Sequence, residues 1–312
     1  MKNTRMLTEG ALMLGIFVVL LFVSMYVPLV MIVTQLFLIL PFLLYSAKYP
    51  LKNAAILLVG AMLIAFIIGS IVAVPFAFIN ATIGIVMGYG IRTGKSKAII
   101  YLSSSMAFLF NIVLFYMIAT IFLSVNFIEE LGQLFKTSMD QYTQALESFG
   151  QAPPAKMHEQ MNEMIQLMGT MAPTLLIILS FSTVLLLVII NFPIAKRLGV
   201  NVPKFGTFRE LKLPKSVLWY YLVALVLTLL VQPESGTYMY MVLVNGAFIL
   251  QALLVIQGLA FIYFYSHLKK WPLVFPILAV ILTLFFPIFL SIVRMLGIID
   301  IGFNLRTYLD KK

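Results

Sequence analysis

Cysteine and charged residues are scarce in this sequence. Of its 312 residues none is a cysteine, two are histidines and 10% are charged. Without cysteine the chain can form no disulfide, no thiolate nucleophile and no cysteine-ligated zinc or iron–sulfur site. Soluble domains carry about 25% charged residues, so the low charge argues against a soluble protein.

Apolar residues make up 62% of the chain and occur in long runs. Because a helix crosses a bilayer with about 20 apolar residues, these runs predict an all-α polytopic membrane protein. We expect about nine transmembrane helices, within a range of about eight to ten. The predicted spans are 11–26, 29–46, 54–69, 71–91, 99–124, 171–194, 216–232, 238–266 and 273–293. For the last run, Pro276 and Pro287 also allow a short hairpin that returns the tail to the side it came from.

Lysine and arginine are distributed unevenly between the two sides of this map. If the N-terminus is cytoplasmic, most of the 21 basic residues fall in inner segments, and the outer segments before residue 271 hold only Lys136 and Lys156. This bias predicts a cytoplasmic N-terminus, while the side of the C-terminus stays open. The net charge of +10 then reflects anchoring loops and gives no reason to expect a nucleic-acid partner.

The basic stretch 195–215 is predicted to be a cytoplasmic linker between two membrane domains. Six spans lie in residues 1–194, and residues 216–312 form a C-terminal membrane domain. Within the first, residues 125–170 carry apolar residues at helical spacing on both sides of Gln151–Pro154, which predicts an extracytoplasmic amphipathic helical hairpin. Its five methionines from Met157 to Met171 are interpreted as a hydrophobic face rather than a Cu(I) site beside His158.

The segment GYGIRTGKSK ends like a nucleotide-binding P-loop. The glycine required five residues before Gly94 is replaced by Tyr89, and no strand precedes the segment. We therefore expect no nucleotide and no other cofactor. Gly84 and Gly88, four residues apart on the predicted fourth span, favour close packing of another helix.

Candidate catalytic residues are missing from the predicted membrane core. The middles of the first eight spans contain no Asp, Glu, Lys or Arg, so we predict no catalytic residue, no metal ligand and no enzymatic activity. Asn80, Asn111 and Gln35 are candidate ligand-binding amides, and Asn80 and Asn111 lie in neighbouring spans. The alternative is that these amides only bond neighbouring helices. Arg294 and Asp300 form a possible charge pair if the helix breaks at Gly297. The alternative is an interfacial anchor in which both charges are solvated.

The opening segment TEGALMLGIFVVLLFVSMYVP resembles the first helix of substrate-binding S components of energy-coupling-factor vitamin transporters. IGIVMGYGIRTGKSK is similar to their fourth helix and its basic exit, and the six-span layout of 1–194 fits as well. The resemblance implies an S-component-like six-helix core. It also implies that Ala11 and Gly15 form a docking face for a membrane protein partner or a transporter's energising subunit.

ALLVIQGLAFIYFYSH and MLGIIDIGFNLR resemble later signatures of the YybS-like family of uncharacterised bacterial membrane proteins, and this resemblance covers nearly the whole chain. The family is grouped distantly with the S components. It implies a multi-pass protein of the bacterial cytoplasmic (inner) membrane and supplies no substrate. The spans after residue 216 and the external hairpin depart from the S components.

We therefore expect an integral membrane protein of transporter-like type, embedded in the lipid bilayer. It would bind a small ligand between its helices near Asn80 and Asn111. Because the chain has no ATPase motif, it would rely on a partner for energy. The alternative is a non-transport membrane scaffold for an envelope or signalling complex, which would act through the external hairpin and the basic linker.

Overall fold

The computed structural model describes residues 2–149, 157–204 and 206–309, and within them it contains helices and no strand. The helices are α1 Lys2–Tyr26, α2 Met31–Gln35, α3 Leu40–Lys48, α4 Leu51–Arg92, α5 Lys97–Leu123, α6 Phe127–Ser148, α7 Met157–Arg197, α8 Ser216–Val231, α9 Tyr238–Leu268, α10 Val274–Phe285, α11 Pro287–Phe303 and α12 Leu305–Leu309. A 3-10 turn covers Phe208–Glu210.

Among the described residues, six helical segments are long and apolar enough to cross a membrane, or seven if the bent pair α10–α11 is one span. One of the six is Met31–Lys48, which comprises α2, α3 and the turn between them. The prediction of an all-α, multi-span membrane protein is confirmed. The predicted count of nine is not reproduced by helix length and composition, because several predicted spans are joined or bent. The predicted break at Gln151–Pro154 lies outside the described residues.

The helices fall into two compact units. The first unit comprises Met1–Leu131 and Leu176–Phe205, and the second comprises Gly132–Leu175 and Gly206–Lys312. Each unit is described by itself below.

In the first unit, α4 is folded into two limbs at Gly69 and Ser70. Ser70 has φ 59° and ψ −163°, far from helical values. A straight helix of 42 residues would be about 63 Å long. Yet Arg92, at its end, donates a hydrogen bond to the carbonyl of Tyr49, two residues before its start. The limbs therefore run in opposite directions, as the predicted division between spans 54–69 and 71–91 requires.

Small residues let the two limbs pack closely. Alanines recur on the buried face of each limb, and all are fully buried in one cluster with Phe17 and Leu21 of α1: Ala54, Ala61, Ala65, Ala73, Ala77 and Ala81. At the C-terminal end of α1, the Tyr26 hydroxyl donates to the carbonyl of Ile68 at 2.9 Å. These contacts hold the reversal of α4 against the end of α1.

Gly84 and Gly88 lie where the second limb of α4 approaches α3. A Cβ added at Gly84 would lie 2.5 Å from the carbonyl oxygen of Ile39 and 2.8 Å from Cβ of Phe42. At Gly88 an added Cβ would overlap the hydroxyl of Ser46. Only glycine allows this approach of the two backbones.

The helix α7 is continuous from Met157 to Arg197. The methionine-rich stretch, predicted as the second arm of a hairpin, therefore continues into the sixth predicted span without a break. The first arm, α6, forms as the apolar spacing predicts.

In the second unit, α10 and α11 form a helical hairpin. The two helices meet at Phe286 and are bent by 119° relative to each other. Pro287 begins α11, and its missing N–H costs nothing at a helix start. The prediction of one straight span over 273–293 is therefore wrong, and the structure has the hairpin that Pro276 and Pro287 also allowed.

Candidate functional site

Two of the three predicted amides of the first unit, Asn80 and Asn111, have hydrogen-bond partners within the protein. The Asn111 side chain, 3% exposed on α5, donates to the hydroxyl of Thr82 on α4 at 2.6 Å. Asn80 donates to the carbonyl of Phe76 in its own helix at 2.8 Å. Asn111 therefore joins α5 to α4 through Thr82 and not through Asn80.

Gln35 is partly buried at the end of α2. Near it, the side chain of Asn191 donates to the carbonyl of Leu36 at 2.9 Å. The structure thus places no hydrogen bond between Gln35, Asn80 and Asn111, and their role in ligand binding stays a prediction.

The predicted docking residues lie on an exposed face of α1. Ala11 and Gly15 are both exposed, and a Cβ added at Gly15 would meet nothing within 4 Å. Their role in partner docking stays a prediction.

In the second unit, α9 and α11 cross at two glycines. A Cβ added at Gly258 would overlap the carbonyl of Val293, and one added at Gly297 would overlap the carbonyl of Leu254. Val293 lies one turn before Gly297 on α11, and Leu254 lies one turn before Gly258 on α9. Each glycine therefore packs against a backbone carbonyl that lies one turn before the glycine of the other helix. The side-chain pairs Gln251–Arg294 and Gln257–Asp300 advance together along both helices, so α11 runs in the same direction as α9 and returns toward the end of α9.

A buried polar cluster lies on the C-terminal side of this crossing. Oδ2 of Asp300, which is fully buried, lies 2.9 Å from both Nε and Nη2 of Arg306 and accepts a hydrogen bond from Gln257 at 2.5 Å. Gln257 also accepts the backbone N–H of Leu213 at 2.9 Å, and Arg306 donates to the carbonyl of Arg209 at 2.6 Å. The cluster ties the segment 206–213 to α9, α11 and the chain after α11.

The predicted pairing of Arg294 with Asp300 is wrong. The helix does not break at Gly297, and six residues along a continuous helix rotate the two side chains onto different faces. The helix ends instead at Asn304, whose φ of 50° turns the chain so that Arg306 reaches Asp300. Asparagine tolerates this left-handed conformation, and this was the local signal for the turn.

Arg294 has a different partner on α9. Its Nη1 donates to Oε1 of Gln251 at 2.6 Å. Asn245, also on α9, receives the hydroxyl of Thr174 at 2.6 Å and donates to the carbonyl of Thr170 at 2.7 Å. The three amides of α9 therefore have different partners, and two of these partners, Arg294 and Asp300, lie on α11.

The 3-10 turn beside the polar cluster is capped by its own residues. The backbone N–H of Thr207 donates to Glu210 at 3.3 Å. Hydrogen bonds from the Thr207 side chain and backbone lower the pKa of the Glu210 carboxyl. The cap orders the segment whose Arg209 carbonyl receives Arg306.

Among the described residues, no group of histidine and acidic side chains is arranged to hold a metal ion. The side chain of His158 lies outside the described set. An apolar cavity of about 240 Å³ lies between α9, α10 and α11, lined by residues that include Ile262, Leu278, Phe289 and Leu296.

Comparison with known proteins relates the chain to a family of predicted membrane proteins. Residues 15–301 match the family described as "Predicted membrane protein (DUF2232)". A relative from Bacillus subtilis (strain 168), named uncharacterized protein YybS, is 32% identical over 307 residues, which are 98% of this chain and 99% of the relative. No solved structure matches the chain.

Proposed function

The chain belongs to the DUF2232 family of predicted membrane proteins, and from this premise we propose that it binds a small ligand between its helices. The role is that of a transporter-type binding protein and not of an enzyme. The protein is integral to the membrane, and we place it in the bacterial cytoplasmic membrane with its N-terminus inside.

The observation that carries the proposal is the broken pair α10–α11 beside the ionisable residues of α11. Backbone that leaves the helical path at membrane depth is tolerated where it is covered by protein or lines a cavity. Transporters place their ligand sites at such discontinuous helices. Arg294 and Asp300 lie on the second arm of this hairpin. Ionisable residues in a membrane segment carry a high free-energy cost, and they therefore often mark functional sites.

We also propose that the protein depends on a partner for energy. The sequence lacks an ATPase motif, and the exposed small residues Ala11 and Gly15 leave room on α1 for a neighbouring helix. The resemblance of the opening segment to S components favours this arrangement, and that resemblance stays a prediction.

The test is native mass spectrometry of the full-length protein, released gently from membranes, with identification of co-purifying molecules. We expect a stoichiometric small molecule. If the small molecule is lost in Gln251→Leu but retained in Asn80→Leu, its binding site lies at α9–α11. If it is lost in Asn80→Leu but retained in Gln251→Leu, the result supports the predicted site of the first unit. A correctly folded protein that never carries a small molecule contradicts the proposed function.

The scaffold alternative is favoured by the surface of α6. Leu134 and Phe135 on this amphipathic helix are 63% and 44% exposed, so its apolar face offers a surface for another protein. Under this alternative, Leu134→Ser with Phe135→Ser removes a co-purifying protein. Substitution of the exposed Thr137 by Ser, one turn away, is the matched control. If both variants retain the same proteins, the scaffold alternative is contradicted.

A further inference from the structure

The guanidinium of Arg294 has no carboxylate partner among the residues that the structure describes. Its hydrogen bond goes to the neutral oxygen of Gln251, and the ion pairs of the described residues involve Arg5, Glu9, Lys48, Asp300 and Arg306. Within the helices α8, α9, α10 and α11 themselves, Asp300 is the only acidic residue, and Arg306 and Gln257 already bind it. The other acidic residue of this stretch, Glu234, lies in the loop between α8 and α9. The positive charge of Arg294 is therefore not compensated within this part of the unit.

The position of Arg294 makes this charge unfavourable. Gln251 lies 17 residues before Leu268, or about 25 Å along α9 from the basic end at Lys269. Gln251 also lies 13 residues after Tyr238, or about 20 Å from the other end of α9. Because α9 is longer than the hydrocarbon core of about 30 Å, the middle of the helix, where Gln251 and the guanidinium lie, is inside the core. Its neighbours on α11, Ile292 and Met295, are both apolar and exposed. A cation in such surroundings is stabilised most by an anion.

The donors at this position suit an oxyanion. Arginine carries five N–H donors and no acceptor, so the Gln251 oxygen must face it and the amide nitrogen must point elsewhere. The one described hydrogen bond uses a single guanidinium nitrogen. The remaining donors form the planar fork that binds carboxylate and phosphate groups through two parallel hydrogen bonds.

We infer that Arg294 and Gln251 bind the anionic group of a ligand, a carboxylate or a phosphate, inside the membrane part of the second unit. The inference rests on the proposed function and names the chemical class of the ligand. The anion has two sources, the phosphate of a membrane lipid and a free anionic solute, and they share the same recognition chemistry.

Two variants and one control test the inference in the full-length protein. Arg294→Gln removes the charge. Gln251→Glu places a carboxylate beside Arg294, so it supplies the anion from within the protein and preserves the fold. Lys212→Gln removes one positive charge from an exposed position of the segment 206–215 and is the matched control.

The measurement is the unfolding temperature in dodecyl maltoside, a detergent without phosphate or carboxylate. The free probes are sodium phosphate and sodium acetate, compared with sodium chloride at equal ionic strength. The lipid probe is dioctanoyl phosphatidylglycerol, compared with dioctanoylglycerol. We expect at least one anionic probe to raise the unfolding temperature of the wild type and of Lys212→Gln by a few degrees. Arg294→Gln and Gln251→Glu should not respond.

The outcomes separate the two sources and the two proposals. A response to the lipid probe alone supports an anion site that takes lipid phosphate, and a response to phosphate or acetate supports a free solute. An equal response in Arg294→Gln, or no response of the wild type to any probe, overturns the inference. In that case a small molecule that still co-purifies with the protein keeps the proposed function standing. Its absence would contradict the proposed function independently.

Discussion

Arg294 and Arg306 are 12 positions apart, and the protein accommodates their charges in different ways. Arg306 contacts Asp300 through two nitrogens, donates to the Arg209 carbonyl and lies over the ring of Phe264 at 5.5 Å. At the scale of single residues, Arg306 therefore has a carboxylate partner inside the protein, although Oδ1 of Asp300 is buried without a hydrogen-bond partner among the described residues. Arg294 instead donates to a neutral amide oxygen.

Breaking the Asp300–Arg306 pair on one side should destabilise the second unit strongly. In Asp300→Asn the buried guanidinium loses its counter-charge, and we expect the free energy of unfolding to fall by about 3 kcal/mol. The double variant Asp300→Leu with Arg306→Met removes both charges and should recover much of that loss. The measurement is reversible unfolding in mixed micelles. Wild-type stability of Asp300→Asn would show that the pair is not buried as described.

The amides of the first unit should differ in their effect on stability. Asn111→Leu removes the bond to Thr82 between two helices, and we expect a loss of about 0.6–1.7 kcal/mol. Asn80→Leu removes only a bond to its own helix and should cost little. A double-mutant cycle of Asn111→Leu with Thr82→Val measures the coupling, since both single variants break the same bond. A coupling near zero would contradict the described contact.

At the scale of helices, the crossing of α9 and α11 depends on two glycines. Gly258→Ala puts a methyl group into the carbonyl of Val293, so the helices must separate, and we expect a loss of about 1–3 kcal/mol. Gly246 lies on the same helix with nothing within 4 Å of an added Cβ. Gly246→Ala should therefore be neutral or stabilising by up to about 1 kcal/mol. Equal unfolding of the two variants would contradict the close crossing.

Helix boundaries could be predicted from the sequence where an apolar run was too long for one span and had to be divided. The reversal at Gly69–Ser70 followed from a run too long for one span. The continuity of α7 did not follow, because hydropathy marks where a membrane begins and not where a helix begins. The possible pair of Arg294 with Asp300 required a helix break at Gly297. Gly297 is instead a helix contact, and the sequence contains no local signal of this because its partner Gly258 lies on another helix. The partners of Arg294 and Asp300 could not be predicted for the same reason, because these partners lie on other helices.

At the scale of the whole molecule, the proposed sides of the loops rest on the distribution of basic residues and on the hairpin α10–α11. Because α11 runs in the same direction as α9, the tail after Asn304 returns to the end of α9 that carries Lys269 and Lys270. The segment 206–213 lies at this end too, through the bonds of Leu213 and Arg209. The distribution of basic residues predicted that this segment lies on the cytoplasmic side of the membrane, but it did not predict the side of the C-terminal tail.

The absence of cysteine makes this arrangement directly testable, since each single-cysteine variant reports one position. Lys212→Cys, Ser235→Cys and Thr307→Cys change exposed residues of the second unit. We expect a membrane-impermeant maleimide to label Ser235→Cys in intact cells, and to label Lys212→Cys and Thr307→Cys only after permeabilisation. The wild-type protein is the control for unspecific labelling. Nine straight spans would instead place Thr307 on the side of Ser235, so labelling of Thr307→Cys in intact cells would contradict the hairpin. Because Arg294 lies on the second arm of the hairpin, this labelling result would also contradict the proposed anion site.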